Sequence, residues 1–120
     1  MTDSLEIVKI AVKALDEKKA VDIKVLDISD ISIIADYFII TNADNIRQVN
    51  ALTDIVEEQL SKNKIPIKQI EGLNSDWVLI DCHDVIINVF LPETREFYGL
   101  EHIWQDGKDI DIESLLETSN

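Results

Sequence analysis

The most chemically suggestive part of this chain is a polar corner in which all four side chains can bind a metal ion, Asp81-Cys82-His83-Asp84. An apolar run precedes the corner and another follows it, so the corner joins two predicted strands. Successive side chains of a strand point to opposite faces, and four neighbours therefore make a poor tetrahedral ligand set. The pattern favours a polar turn over a metal site.

The other candidate groups also favour structural roles. Asp27, Asp30 and Asp36 lie around two predicted strands, where turn hydrogen bonds explain carboxylates more simply than metal binding does. His102 has no activating partner in the sequence. Cys82 is the only cysteine and its neighbours are acidic, whereas a reactive thiol needs an electropositive setting. We therefore assign no catalytic residue, no metal site and no cofactor.

A hairpin and a short helix must position the corner. Residues 77–81 and 85–91 form two apolar strands, and residues 92–98 form a helix that starts on Pro92 and can end at Gly99. The alternation of a strand places the side chains of the first strand in two sets, namely Trp77, Leu79 and Asp81 on one face and Val78, Ile80 and Cys82 on the other. We expect one face to pack on helices and the other to meet a partner.

The chain before the hairpin alternates helical and strand patterns. The pattern first predicts a helix over residues 5–19 behind a capping pair of Asp3 and Glu6, and then strands over 22–28 and 36–40. A helix over 44–63, capped by Asn42 or Asp44, and an edge strand over 65–70 follow. Together with the hairpin, these elements predict an α/β fold with a single mixed five-stranded sheet flanked by helices.

The last part of the chain differs in composition. We divide the sequence into a domain at residues 1–104 and an acidic C-terminal tail at residues 105–120, in which a short helix over 112–116 fits the pattern. The tail contains five acidic residues and a single lysine, and its apolar residues are scattered. We therefore expect the tail to be loosely attached.

Charge and hydropathy limit the possible partners. The chain has 24 acidic and 11 basic residues, a formal net charge of −13. Such a chain repels phosphate, so direct nucleic-acid binding is disfavoured and basic proteins are attracted. No apolar run approaches the roughly 20 residues of a membrane span, and no basic leader precedes the first helix. We expect a cytoplasmic protein that has no membrane partner.

Several motifs in a fixed order carry a family resemblance that covers about residues 4–104. They are Ala35-Asp36-Tyr37-Phe38-Ile39-Ile40, Arg47-Gln48-Val49, Glu71-Gly72, Asp76-Trp77-Val78-Leu79-Ile80-Asp81, Asp84-Val85, and Pro92-Glu93-Thr94-Arg95-Glu96-Phe97-Tyr98 followed by Leu100-Glu101 and Trp104. This series resembles the ribosomal silencing factor S family, also called Iojap-like. The chain departs from the family pattern at Gln48 and Asn88, where histidines are common, and at Ala43, where glycine is common. A chemical or pH-sensing role of those histidines would be missing here, but a steric role would not.

The resemblance implies a fold similar to that of the nucleotidyltransferases and a non-catalytic binding function. It implies that the protein binds large-subunit ribosomal protein number fourteen at the subunit interface, sterically blocks joining of the small subunit and represses translation. A role in late large-subunit assembly and a homodimer are also implied. By position in this chain, we expect the partner surface to comprise Trp77, Leu79, Asp81, His83 and Asp84, with Tyr98 nearby.

Three large side chains have open roles. Trp77 begins a strand at the rim of the sheet, where it can anchor a partner or pack in the core. Arg47 and Arg95 lie in helices near the start, where a positive charge is electrostatically mismatched. Each arginine is therefore expected to pair either with a carboxylate of the chain or with a partner.

The alternative function is a small nucleotidyltransferase-like enzyme or a nucleotide-binding protein. That chemistry needs metal-binding carboxylates two residues apart on one strand face, and a glycine-containing turn that holds the phosphates. Here Asp36 is followed by Tyr37 and Phe38, and residues 41–44 contain no glycine. The sequence disfavours this alternative.

Overall fold

The computed structural model describes residues 3–117, which form six strands and five helices. In chain order the elements are α1 (Ser4–Glu17), β1 (Val21–Asp27), β2 (Tyr37–Asn42), α2 (Ile46–Lys62), β3 (Gln69–Glu71), β4 (Trp77–Asp81), β5 (Val85–Phe90), α3 (Pro92–Tyr98), α4 (Leu100–Ile103), β6 (Lys108–Ile110) and α5 (Ile112–Glu117). No helix in this part of the chain is both long and apolar enough to cross a membrane.

The strands form one mixed sheet in the order β3-β4-β5-β2-β1-β6. β2 and β5 pair in parallel at its centre, and the other neighbouring strands pair antiparallel. The predicted mixed sheet flanked by helices is confirmed, and β3 lies at an edge as predicted. The predicted count of five strands is wrong, because β6 adds a sixth.

The sixth strand comes from the acidic segment that follows residue 105. It pairs with the free edge of β1 and places Ile110 opposite Val25. α5 then packs on α1, and its Leu115 is buried in the main core. The expected loose attachment is therefore wrong for residues 108–117, although the predicted short helix is confirmed. Residues 118–120 of the predicted tail lie outside the described residues.

The two faces of the sheet support two separate apolar cores. α1, α2 and α5 cover one face, and their apolar side chains form the larger core with those of the strands. α3 and α4 cover part of the other face, where Leu26, Phe38 and Phe90 belong to a smaller cluster. β2 is buried on both sides, since Ile39 belongs to the larger core and Ile40 to the smaller one. This double burial agrees with a strand in the middle of a sheet.

The start of α2 differs from the prediction. Its N-cap is Asn45, whose side-chain oxygen accepts a hydrogen bond from the Gln48 backbone N–H at 2.9 Å. Neither Asn42 nor Asp44 caps the helix, because β2 continues to Asn42 and the next residue, Ala43, still donates its N–H to Phe90. The parallel pairing of β2 with β5 thus delays the helix beyond the predicted caps.

Candidate docking surface

The sheet face opposite α1 and α2 is only partly covered, and β4 crosses its open part. Val78, Ile80 and Cys82 are buried in the larger core beneath the helices. Trp77, Leu79 and Asp81 alternate with them on the other face and are half-buried. The predicted helix-packed face of this strand is therefore confirmed, and a partner on the other, partly exposed face stays a prediction.

Trp77 packs against the smaller core and is also partly exposed. Its ring stacks on Phe90 at a centroid distance of 5.0 Å and lies 4.7 Å from the ring of Tyr98. Through these contacts the indole joins the smaller core, yet it is only half-buried. The side chain is thus a rigid aromatic platform with one part left open to solvent.

Asn88 fixes the orientation of that platform. It is fully buried on β5, and its side-chain oxygen accepts a hydrogen bond from the Trp77 indole N–H at 3.1 Å. Its amide nitrogen points to the backbone oxygen of Ile39, at 3.4 Å. A buried amide is costly unless it is hydrogen-bonded, so these contacts hold the asparagine and the indole in one arrangement.

α3 carries the second aromatic part of the surface. Pro92 provides its first turn and Gly99 ends it in the left-handed conformation, at a φ of 53°, as predicted. The Thr94 hydroxyl donates to the carboxylate of Asp76 at 2.8 Å, which ties the helix to the turn before β4. Trp77 follows directly after Asp76, so this contact also sets the position of α3 relative to Trp77.

Arg95 anchors the buried side of α3. Its Nε donates to Glu101 at 2.9 Å, and its Nη1 donates to the Asp22 backbone oxygen and the Asn42 side-chain oxygen, both at 2.8 Å. Its Nη2 lies 3.6 Å from the Asp22 carboxylate. The hydrogen bond from Arg95 holds the pKa of Glu101 below its ordinary value. The internal ion pair predicted for Arg95 is confirmed.

Arg47 behaves differently. It is exposed in the first turn of α2, and no carboxylate among residues 3–116 forms an ion pair with it. Of the two expected alternatives, the internal carboxylate is therefore not the one found, and a contact of Arg47 with a partner stays a prediction. A surface arginine keeps its hydration, so it needs no buried counter-charge to offset desolvation.

The polar corner is a tight turn at the far end of β4. His83 adopts a left-handed backbone with a φ of 70°, and its N–H donates to the Asp81 carboxylate at 2.9 Å. The backbone oxygen of Asp84 accepts from the N–H groups of Asp36 and Tyr37, which connects the turn to β2. His83 and Asp84 are exposed. This geometry agrees with the predicted polar turn.

The thiol of the corner is not reactive. Cys82 is buried, and burial together with the nearby Asp81 carboxylate raises its pKa to about 12. A thiol with such a pKa stays protonated at neutral pH and is a poor nucleophile. Among the side chains of residues 3–116, no three of His, Cys, Asp or Glu are arranged to hold a metal ion.

The three aspartates around β1 and β2 have structural contacts. The Asp27 carboxylate accepts from the N–H and hydroxyl of Ser29, at 3.0 and 2.6 Å, and the hydroxyl bond lowers the pKa of Asp27. Asp36 accepts from the hydroxyl of Ser4 at 3.1 Å, and Asp30 lies 3.6 Å from the lysine of β6. These contacts explain the carboxylates without a metal.

The six predicted partner residues fall into two groups. Trp77 and Tyr98 are in contact, and Leu79 continues the same open face. Asp81 ends β4, roughly 13 Å from Trp77 at the rise of a strand, and His83 and Asp84 follow it in the turn. The structure thus forms an aromatic end and an acidic end that β4 connects.

Phe97 is an exposed aromatic residue that is not among the partner residues predicted from the sequence. Its ring is 81% exposed and meets Tyr98 edge to face, with centroids 5.0 Å apart and planes at 89°. The signal was present in the sequence, because two consecutive aromatic residues on a short helix cannot both face the core. Since Thr94 and Arg95 take the buried side of α3, Phe97 faces solvent.

Comparison with known proteins identifies the family. A family model described as "Ribosomal silencing factor during starvation" matches residues 1–120. The chain belongs to this family. It is 40% identical over 108 residues to the Bacillus subtilis protein named "Ribosomal silencing factor RsfS", which covers 89% of this chain and 92% of the relative. It is 34% identical to "Protein Iojap, chloroplastic" of Zea mays over 83% of this chain and 44% of the relative.

Solved structures share the fold. A crystal structure of a Chromobacterium violaceum protein superimposes with a TM-score of 0.84 at 34% identity and covers 92% of each chain. A Bacillus halodurans structure gives a TM-score of 0.78 at 34% identity, over 88% of this chain and 97% of that chain. The mixed α/β architecture with an open sheet is therefore common to relatives of this chain.

Proposed function

We propose that this protein binds the large ribosomal subunit through ribosomal protein number fourteen and sterically blocks joining of the small subunit, which represses translation. The names of the relatives support a ribosome-directed regulatory factor, since several are called ribosomal silencing factors and a mouse relative is called "Mitochondrial assembly of ribosomal large subunit protein 1". A role in large-subunit assembly belongs to the same proposal.

The observation that carries the proposal is the preformed aromatic platform of Trp77 and Tyr98. Rigid, partly exposed aromatic side chains are frequent binding anchors, because they bury much area with little loss of conformational entropy. Asn88 and Phe90 hold the indole before any partner arrives. The protein can therefore present this surface without rearrangement.

The net charge supports a protein partner. At −13, the chain attracts basic proteins and repels the phosphates of ribosomal RNA. The proposed contact surface comprises Trp77, Leu79 and Tyr98 at the aromatic end and Asp81, His83 and Asp84 at the acidic end, and we add Phe97. The acidic end would meet basic residues of the partner, which favours fast association more than high affinity.

The resemblance supports two further proposals, namely that the protein forms a homodimer and that its fold is nucleotidyltransferase-like. The cytoplasmic location expected from the sequence is a separate proposal. We also propose that the protein acts without turnover. The Asn45 side-chain oxygen already accepts a hydrogen bond from the Gln48 N–H in the first turn of α2, where a phosphate would otherwise bind. Asp44 adds a negative charge beside this turn.

A thermal-shift screen with nucleotides and Mg²⁺ tests the enzyme alternative, because a ligand at 100 times its dissociation constant adds about 2.7 kcal/mol of stability.

Sedimentation with purified subunits tests the central proposal. We expect the protein to sediment with large subunits, to bind purified ribosomal protein number fourteen, and to bind protein-free large-subunit RNA much more weakly. In a reconstituted translation reaction, inhibition should follow the occupancy of large subunits and weaken when small subunits are added first. Equal binding to protein-free RNA, or inactivation of every ribosome by substoichiometric protein, would contradict the proposal.

A further inference from the structure

We infer that the exposed side of α3 is a recognition site for a cationic side chain, specifically an arginine of the basic partner. The site consists of the rings of Phe97 and Tyr98 and the carboxylates of Glu93 and Glu96. The identity of the partner rests on the proposed function, whereas the chemistry of the site rests on α3 alone.

The aromatic part of the site is unusually open. Phe97 is 81% exposed and Tyr98 is 47% exposed, and the two rings meet edge to face. The edge of one ring lies against its neighbour, so a face of Phe97 stays free for another group. An aromatic face attracts cations because its quadrupole is negative there.

The carboxylates lie on the same side of the helix. Glu93 lies four residues before Phe97 and three residues before Glu96. Residues at these spacings are neighbours on a helix surface, so Glu93 lies next to both. All three are exposed. Neither glutamate forms an ion pair with another side chain of residues 3–116. A cation over Phe97 would therefore meet the carboxylate of Glu93, and Glu96 places a second carboxylate beside Glu93 on the exposed side of the helix.

Buried contacts fix this site in place. Thr94 and Arg95 occupy the inner side of α3, where Arg95 binds three other elements and Thr94 binds Asp76. The Trp77 indole N–H is already bonded to Asn88, so the indole offers a partner its ring and no donor. A partner at this end of the surface therefore meets carboxylates, aromatic faces and the hydroxyl of Tyr98. Arginine suits the first two, because its planar guanidinium stacks on rings and binds carboxylates.

The test uses a small probe, so that it does not depend on the ribosome. Acetyl-Gly-Arg-Gly-amide is titrated into the intact protein while NMR follows the ring resonances of Phe97 and Tyr98. The matched probe contains citrulline, which has nearly the shape of arginine but no charge. We expect saturable shifts of both rings with the arginine peptide and much weaker binding of the citrulline peptide.

Two variants separate the aromatic contribution from general charge. Phe97→Leu keeps an apolar side chain without a ring and should weaken arginine-peptide binding roughly two- to fivefold, the usual size of an exposed cation–π contact. Glu93→Gln/Glu96→Gln should weaken binding by a similar factor. The control Glu57→Gln/Glu58→Gln removes the same charge from α2 and should change little. Equal binding of citrulline, an unaffected Phe97→Leu, or an equal loss in the control would overturn the inference.

The same variants distinguish this inference from the proposed function. If wild-type protein fails to bind large subunits, the proposed function fails, but the peptide titration still decides the nature of the site. If wild-type protein binds large subunits and Phe97→Leu binds them equally well, the proposed function stands and the inference is overturned.

Discussion

The indole N–H of Trp77 is bonded to the side-chain oxygen of Asn88, a fully buried residue of the neighbouring strand, at 3.1 Å. This contact lies inside the smaller core, next to the stacked ring of Phe90. Asn88 is a buried polar residue that needs a hydrogen-bond partner, and Trp77 is the side chain that we propose as the main anchor of the docking surface. The bond therefore affects both stability and binding.

Asn88→Leu should lower the free energy of unfolding by about 1–3 kcal/mol, because the partly buried indole N–H loses its acceptor. Urea denaturation measures this loss. In a Trp77→Phe background the N–H is absent, so the same Asn88→Leu substitution should cost clearly less, and the difference is the coupling energy of the pair. Equal costs in the two backgrounds would show that the hydrogen bond contributes nothing.

Trp77→Ala should weaken binding to purified ribosomal protein number fourteen by at least about 2 kcal/mol, the usual size for an aromatic anchor. Calorimetric titration gives this value, and circular dichroism checks that the variant is folded. Ile33→Ala, which truncates a fully exposed apolar residue outside the proposed surface, is the control and should bind normally. A folded Trp77→Ala protein with wild-type affinity would leave Trp77 with a packing role alone.

Glu101→Gln should destabilise the protein at neutral pH by about 1 kcal/mol, because the buried Arg95 loses a charged partner. The pKa of Glu101 is lowered in the fold, so its contribution is present above the ordinary pKa of 4.5 and is lost as pH falls below it. The two proteins should therefore converge in stability in acid. Urea denaturation at pH 7 and near pH 3 tests this, and an equal gap at both pH values would contradict it.

Leu115→Ala should lower the free energy of unfolding by about 2 kcal/mol, because the side chain is buried where α5 packs on α1. Leu73→Ala is the matched control, since Leu73 is 56% exposed and should contribute little. Thermal unfolding compares the two variants. If both variants unfold at the same temperature as the wild type, the packing of α5 is not part of the cooperative fold.

The parts of the fold that depend on neighbouring residues could be predicted from the sequence. The alternation of β4, the start of α3 on Pro92 and its end at Gly99 are local patterns, and all three are confirmed. The cap at Asn45 could not be predicted, because it depends on how far β2 pairs with β5. The strand at Lys108–Ile110 was missed for a similar reason, since three residues of mixed polarity become a strand only beside a free edge.

The candidate site was predictable in part. The Trp77 side of the hairpin follows from alternation, but the contact of Trp77 with Tyr98 depends on the path of α3 across the sheet. The bond to Asn88 depends on the register of β4 against β5, which a sequence does not display. The distance between the aromatic and acidic ends is likewise a result of strand length rather than of any motif.

The position of β6 has a consequence for how the protein is made. β1 is synthesised before the other strands described here, but its outer neighbour β6 and the helix α5, which packs on α1, follow only after α4. Until then, one edge of β1 and part of the surface of α1 have no neighbour, and an open strand edge is a site for wrong pairing. A protein that is proposed to stop ribosomes therefore completes this sheet only after all five of its other described strands have been made.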